Sequence, residues 1–147
     1  MAIANYTTSV SAAKSIGEIQ EMLCRAGASA VMFEFENEVV TDLSFRLQLG
    51  GDGSQGMISF RLPANIDKMY VHLQNCGVQR RYRTREQAAR VAWRIIKDWV
   101  RAQLAIIECE QAEMVEVFLP YAQNPQTGKT VYEQYIAVGF KQLTGPK

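Results

Sequence analysis

The clearest chemical signal in this 147-residue sequence is a cluster of basic side chains in its second half. Residues 79–101 hold eight basic and two acidic side chains, a net charge of +6, whereas the whole chain has a net charge of +1. Arginine binds phosphate through a planar fork of N–H donors and also stacks on bases. The cluster therefore indicates contact with a nucleic acid or a phosphorylated nucleotide. Its candidate binding residues are Arg80, Arg81, Tyr82, Arg83, Arg85, Arg90, Arg94, Lys97 and Arg101.

The spacing of the later basic residues predicts that they share one side of a helix. Arg90, Arg94, Lys97 and Arg101 are four, three and four residues apart, and an apolar stripe from Ala88 to Trp99 lies opposite. Tyr82 and Trp93 are possible stacking partners for bases. Two other interpretations stay open. The stripe is either a solvated helix face with weak pairs to Asp98, or a contact surface for an acidic protein.

No pattern in the sequence assembles an active site or a metal site. The glycine-rich loop at 50–56 lies between two predicted strands and lacks the phosphate-loop pattern, so it predicts a hairpin. His72 and Cys76 are four residues apart but have no third ligand nearby in the sequence. The three cysteines, at widely separated positions, are typical of free thiols. We therefore expect that the protein is not an enzyme and has no catalytic residue, no metal and no cofactor.

Carboxylates are a further candidate for acid–base chemistry or for a magnesium ion. Glu34, Glu36 and Asp42 fall on the polar face of two predicted strands. Arg46 and Arg61 are predicted on the same face, which favours cross-strand charge pairs instead.

The elements that position these residues follow from periodicity and caps. Ser15 and Glu18 fit a capping box for a helix at 16–26, and Thr84 with Gln87 fits a second box for a long helix from 85 to about 109. Further helices are predicted at about 66–76, capped by Asn65 or Asp67, and at 111–119, and residues 130–140 give a mixed pattern. Three runs alternate apolar and polar residues, which is typical of half-buried strands: residues 31–36, 42–49 and 58–62. The aromatic residues expected in the core are Phe33, Phe35, Phe45, Phe60 and Trp99.

This order predicts an α+β fold, a two-layer sandwich. A three-stranded antiparallel meander is preceded by one helix and followed by a long helix and a C-terminal helical or irregular segment. We expect a flexible N-terminal arm at 1–14 and one domain at 15–147. The apolar face of the long helix is wide, so residues 110–147 or a second subunit should cover its flank, and we expect a homo-oligomer.

Composition restricts the class of protein. Hydrophobic residues make up 48% and charged residues 21%, which excludes a disordered chain or a disulfide scaffold. No apolar run is long enough to span a membrane, and the first ten residues lack the features of a secretory signal. We therefore expect no contact with a membrane, and a location in the cytoplasm.

Three segments resemble small uncharacterised proteins encoded by bacteriophages and prophages. The segments are Lys14–Ile19, Ile58–Asn65 and Arg85–Trp99 continuing to Phe118–Tyr121. The resemblance covers most of the chain and implies a phage-derived accessory protein in the cytoplasm of a bacterial host. No activity or site residue comes with it.

The leading hypothesis is a non-enzymatic protein that binds nucleic acid or a nucleotide through residues 79–101. The alternative is a counter-defence protein. It would inhibit a host immune effector by protein contact, or sequester a nucleotide second messenger.

Overall fold

The computed structural model describes residues 2–50 and 52–146. Its element order confirms the predicted α+β fold, with a helix first, then three strands, then a long helix. The helices and strands are α1 (Ala12–Arg25), β1 (Ala30–Glu36), β2 (Val39–Gln48), β3 (Met57–Arg61), α2 (Ile66–Asn75), α3 (Arg85–Glu108), α4 (Met114–Phe118) and α5 (Val131–Ala137). Single turns of 3-10 helix lie at Arg80–Tyr82 and Leu119–Tyr121.

The sheet is an antiparallel meander in the order β1-β2-β3. A two-residue turn, Asn37 and Glu38, joins β1 to β2, and both residues have positive φ angles of 50° and 66°. Two positive φ angles are the property of the hairpin turns that match strand twist. The glycine-rich loop closes the second hairpin, where the Leu49 N–H donates to the Gly56 carbonyl at 2.9 Å.

The inner face of the sheet carries much of the hydrophobic core. Phe45 and Phe60 stack with ring centroids 5.0 Å apart, and Phe118 meets Phe45 edge-on at 5.3 Å. Phe35 was expected in this core, and that prediction is wrong, since the residue is 67% exposed. The register shift leaves Thr41 of β2 without a partner, and β1 keeps its alternation. Phe35 is exposed because it lies in an open cleft that is also lined by Ile16 and Ala89.

Helix α1 begins earlier than predicted. The Ser11 hydroxyl caps it by accepting from the Lys14 N–H at 3.1 Å, whereas Ser15, the predicted cap, is buried within the helix. Residues 12–14, expected in a flexible arm, are therefore helical. The first residues of the arm also contact α3, where the Gln87 amide donates to the carbonyls of Tyr6 and Thr8 at 2.8 and 3.0 Å.

Helices α1 and α2 both pack against α3. The caps of α2 and α3 are as predicted, because Asn65 accepts from the Lys68 N–H and Thr84 accepts from the Gln87 N–H. The Gln87 side chain, however, holds the arm instead of returning to Thr84, so only half of the second capping box forms.

The C-terminal segment covers the flank of α3. Trp99 meets Phe118 and Tyr121 edge-on, at 5.7 and 5.4 Å between centroids, and Ala122 forms a bridge with Phe60 of β3. The chain therefore supplies its own cover here, and a homo-oligomer stays a prediction. Helix α5, where the sequence pattern was mixed, begins at a capping box of Thr130 and Glu133.

Candidate nucleic-acid interface

The segment between α2 and α3 concentrates the exposed positive charge. We call residues 79–85 the basic loop. Arg80, Arg81 and Arg85 are exposed and Arg83 is half-buried. The loop leads into the N-terminus of the 24-residue helix α3, whose free N–H groups add a partial positive charge.

Arg81 and Tyr82 lie together at the middle of the basic loop. The Arg81 guanidinium lies over the Tyr82 ring, 4.8 Å from its centroid. The Tyr82 ring in turn meets Tyr6 of the N-terminal arm edge-on at 5.5 Å. The arm therefore holds the Tyr82 ring in place, and the ring in turn orients the exposed Arg81 guanidinium.

Arg83 holds the loop in place. Its Nε donates to the Val78 carbonyl at 2.8 Å, and the Gln74 side chain donates to the Arg83 carbonyl at 2.8 Å. These two hydrogen bonds tie the loop to the end of α2. Arg83 is thus a structural residue of the loop with part of its guanidinium still available.

Arg85 closes the basic loop against α2. Its guanidinium donates to Asp67 at 2.5 Å and lies 5.0 Å from the centroid of the Tyr70 ring. The hydrogen bond to Asp67 raises the pKa of the Arg85 guanidinium above its ordinary value. Part of its positive charge is therefore already compensated. Tyr70 is not among the candidate binding residues predicted from the sequence.

The helical stripe does not form one solvated surface, and this part of the sequence prediction is wrong. Lys97 is buried, with only 5% of its side chain exposed, and its Nζ lies 3.2 Å from Glu18 of α1 and 3.6 Å from Asp98. The cause is the packing of α1 along this side of α3, which periodicity within α3 alone does not reveal.

Arg90 and Arg94 also lie beside carboxylates of the chain, although the Arg94 Nε makes no hydrogen bond. Arg90 pairs with Glu86 at 2.6 Å, and the Arg94 Nε lies 3.6 Å from Asp98. Both side chains are only about one-third exposed, at 31% and 29%. These two arginines therefore contribute less to an external field than their number suggests.

Arg101 is exposed but distant from the basic loop. It lies sixteen residues after Arg85 on the same helix, a separation of about 24 Å at 1.5 Å per residue. The structure thus brings Arg80, Arg81, Tyr82, Arg83 and Arg85 together and separates Arg101 from them.

Trp93 was considered as a stacking partner for bases, and the structure excludes that role. The ring is fully buried, and its Nε1 donates to the Val40 carbonyl of β2 at 3.2 Å. This hydrogen bond joins α3 to the sheet. Trp93 is therefore a core residue.

The remaining candidate clusters stay separate. Among residues 2–50 and 52–146, no three His, Cys, Asp or Glu side chains are close enough to hold a metal ion. The predicted cross-strand pairs are wrong, since Glu34 faces Asp42, whereas Arg61 pairs with Glu133 at 2.6 Å. Arg46 donates to the Ser29 hydroxyl at 3.4 Å.

The chain matches no protein-family model, no curated protein and no solved structure. Within the part of the chain that the structure describes, no helix is long and apolar enough to cross a membrane. The functional argument therefore rests on the geometry of the basic loop.

Proposed function

We propose that this chain is a phage-derived, non-enzymatic protein that binds nucleic acid through the basic loop. One observation carries the proposal: Arg80 and Arg81 are exposed side by side and form no ion pair with any residue of 2–50 or 52–146. Cations without an internal partner are available for phosphate, and the adjacent N-terminus of α3 adds to the same field. The phage origin comes from the sequence resemblance.

The mode of binding is contact with the backbone of a polymer. Arg80, Arg81 and Arg83 line neither of two clefts of about 1100 and 290 Å³, whereas Arg85 and Arg90 line the larger one. An open loop suits successive phosphates better than a single enclosed nucleotide. Arg81 and Tyr82 would contact the nucleic acid first, with limited readout of its base sequence.

A charge-reversal experiment tests this function. The double variant Arg80→Glu/Arg81→Glu should weaken binding of a fluorescein-labelled twenty-nucleotide single-stranded oligonucleotide by at least about a hundredfold, measured by anisotropy. The matched control is Arg101→Glu/Lys129→Glu, which makes the same change in net charge at two exposed residues outside the loop. Equal losses in both variants would contradict a specific role for the loop.

The salt dependence gives a second readout. The neutral variant Arg80→Ala/Arg81→Ala should reduce the slope of log affinity against log salt by about 1.4, which is two contacts at about 0.7 each for a single strand. An unchanged slope would mean that these arginines do not meet phosphate. Affinity that is independent of oligonucleotide length would favour a sequestered nucleotide instead.

A second candidate function is inhibition of a host defence protein by direct contact. The C-terminal segment favours it, because four apolar side chains are at least half exposed there: Tyr132, Ile136, Val138 and Leu143. Large exposed apolar side chains that form a contiguous patch are typical of protein contact surfaces. If this is the function, Ile136→Glu/Leu143→Glu should abolish protection of a phage against a host with a defined defence system. The double variant of the basic loop should not.

A further inference from the structure

The sheet has one open edge. At the other edge, β3 is covered by residues of the C-terminal segment. Ala122 forms a bridge with Phe60, and the Gln123 N–H donates to the Ser59 carbonyl at 2.8 Å. Strand β1 pairs with β2 alone among the residues that the structure describes. Its outer row of N–H and C=O groups is therefore available to another strand.

The side chains on this edge are apolar and acidic. Met32 is 56% exposed and Phe35 is 67% exposed, and Glu34 and Glu36 are exposed beside them. Burying apolar side chains of this size lowers the free energy, so their exposure favours contact with a partner. Together with the free backbone groups, they give the edge both a main-chain and a side-chain means of recognition.

The edge and its hairpin also carry an excess of acidic side chains. Residues 26–45 contain four acidic and no basic side chains. None of the four forms an ion pair within residues 2–50 and 52–146, and they are Glu34, Glu36, Glu38 and Asp42. A ligand for this edge should therefore be positively charged.

We propose that β1 is a docking strand for an extended segment of a partner protein in which basic and apolar residues alternate. Main-chain hydrogen bonds would add the segment to the sheet beside β1. Its basic residues would lie against Glu34 and Glu36 on one face of the sheet, and its apolar residues would cover Phe35 on the other face. Phe35 and Glu36 share a cleft with Arg85, the last residue of the basic loop. The exposed charges of β1 are negative, however, so the proposal concerns a different ligand and goes beyond the function proposed above.

The same charges argue against a second copy of this chain as the occupant. Antiparallel pairing of two β1 strands places four carboxylates, Glu34 and Glu36 from each, along one seven-residue ladder. Like charges across a ladder are destabilising, and acidic residues on an edge are a known device against self-pairing. A strand with basic side chains avoids this repulsion between like charges.

The test uses two synthetic peptides of one composition. One alternates lysine and valine over eight residues, and the other has four lysines followed by four valines. The full-length protein should bind the labelled alternating peptide at least about tenfold more tightly by anisotropy, since only alternation presents both side-chain types in register. The outward-facing backbone amides of residues 30–36, which are not bonded to β2, should become protected from hydrogen exchange when it binds.

Matched variants assign the contact to β1. Glu34→Lys/Glu36→Lys should weaken peptide binding at least about tenfold. The control Glu108→Lys/Glu110→Lys makes the same charge change at exposed residues at and just beyond the C-terminal end of α3, and should leave binding within about twofold. Phe35→Ser removes an exposed apolar side chain without changing the net charge. It should also weaken peptide binding. Circular dichroism shows which variants are folded.

Four outcomes would overturn the proposal: no binding of the alternating peptide, equal binding of both peptides, binding without protection of the β1 amides, or equal effects of the two double variants. Concentration-dependent dimerisation with protected β1 amides in the free protein would also overturn it, and would assign the edge to a second copy. Loss of oligonucleotide binding in the basic-loop variants has no bearing on this edge.

Discussion

Lys97 of α3 and Glu18 of α1 form an ion pair at 3.2 Å between Nζ and Oε2, in a place where almost none of the lysine is exposed. The pair changes the meaning of the basic stripe. A lysine that the spacing assigns to a solvated, ligand-binding face instead joins two helices. Its positive charge is compensated by Glu18 and Asp98 within the fold.

Removing the charge of Glu18 should therefore destabilise the protein. Glu18→Gln leaves the Lys97 ammonium buried with only the more distant Asp98, and we expect a loss of about 1–3 kcal/mol in the free energy of unfolding. Urea denaturation measures it. Lys97→Met, which keeps the apolar stem, should cost less than Lys97→Ala. If Glu18→Gln is neutral, the pair does not stabilise the fold.

The arm should detach when Gln87 loses its amide. Gln87→Met keeps the length of the side chain but removes both hydrogen bonds to the carbonyls of Tyr6 and Thr8, at an expected cost of about 1 kcal/mol. Hydrogen exchange of residues 3–10 should accelerate. Gln20→Met, on the exposed side of α1, is the control and should leave these amides unchanged. Unaltered exchange in the Gln87 variant would show that other contacts hold the arm.

The turn between β1 and β2 should accept glycine with a gain in stability. Glu38 has a φ of 66°, a left-handed conformation that costs a non-glycine residue about 1 kcal/mol. Glu38→Gly should therefore raise the free energy of unfolding by about 1 kcal/mol. The control Glu36→Gly makes the same chemical change within β1 and should lower it. Thermal unfolding compares the two, and equal shifts would exclude conformational strain as the cause.

The start of α5 should depend on pH. Hydrogen bonds from Thr130, first from its backbone N–H, lower the pKa of Glu133 below its ordinary value of 4.5. Because the folded pKa is the lower one, this stabilisation is complete above 4.5 and is lost as pH falls through the lowered folded value.

Nuclear magnetic resonance titration of the Glu133 carboxyl carbon measures that pKa directly. Exchange of the α5 amides should accelerate over the same pH range in the wild type. Glu133→Gln should remove this dependence and the pair with Arg61. A titration at the ordinary value would contradict the capping arrangement.

Sequence patterns gave the elements that local interactions determine. Alternation predicted the meander because one face of each strand must be buried, whatever covers it. Thr84 and Asn65 were recognised as caps because a cap bonds to an amide three residues away. The basic loop was visible for the same reason, since its charge is contiguous in the chain.

The errors arose where a distant segment decides the environment. Ser15 fits a capping box locally, but Ser11 supplies the cap, and the packing of α1 within the fold buries Ser15. Phe35 keeps the alternation of β1, but α1 and α3 leave an open cleft beside it, and only the packing of the helices determines that cleft.

The sequence by itself determined the α+β order, the caps of α2 and α3, and the position of the basic loop. Periodicity and capping act within a few residues, so one segment carries the whole signal. The tertiary structure alone decided that α1 covers Lys97, that the arm supports Tyr82, and that β1 is left with an open edge. Burial and charge compensation depend on residues that are distant in the chain, and their effect appears only when the elements pack.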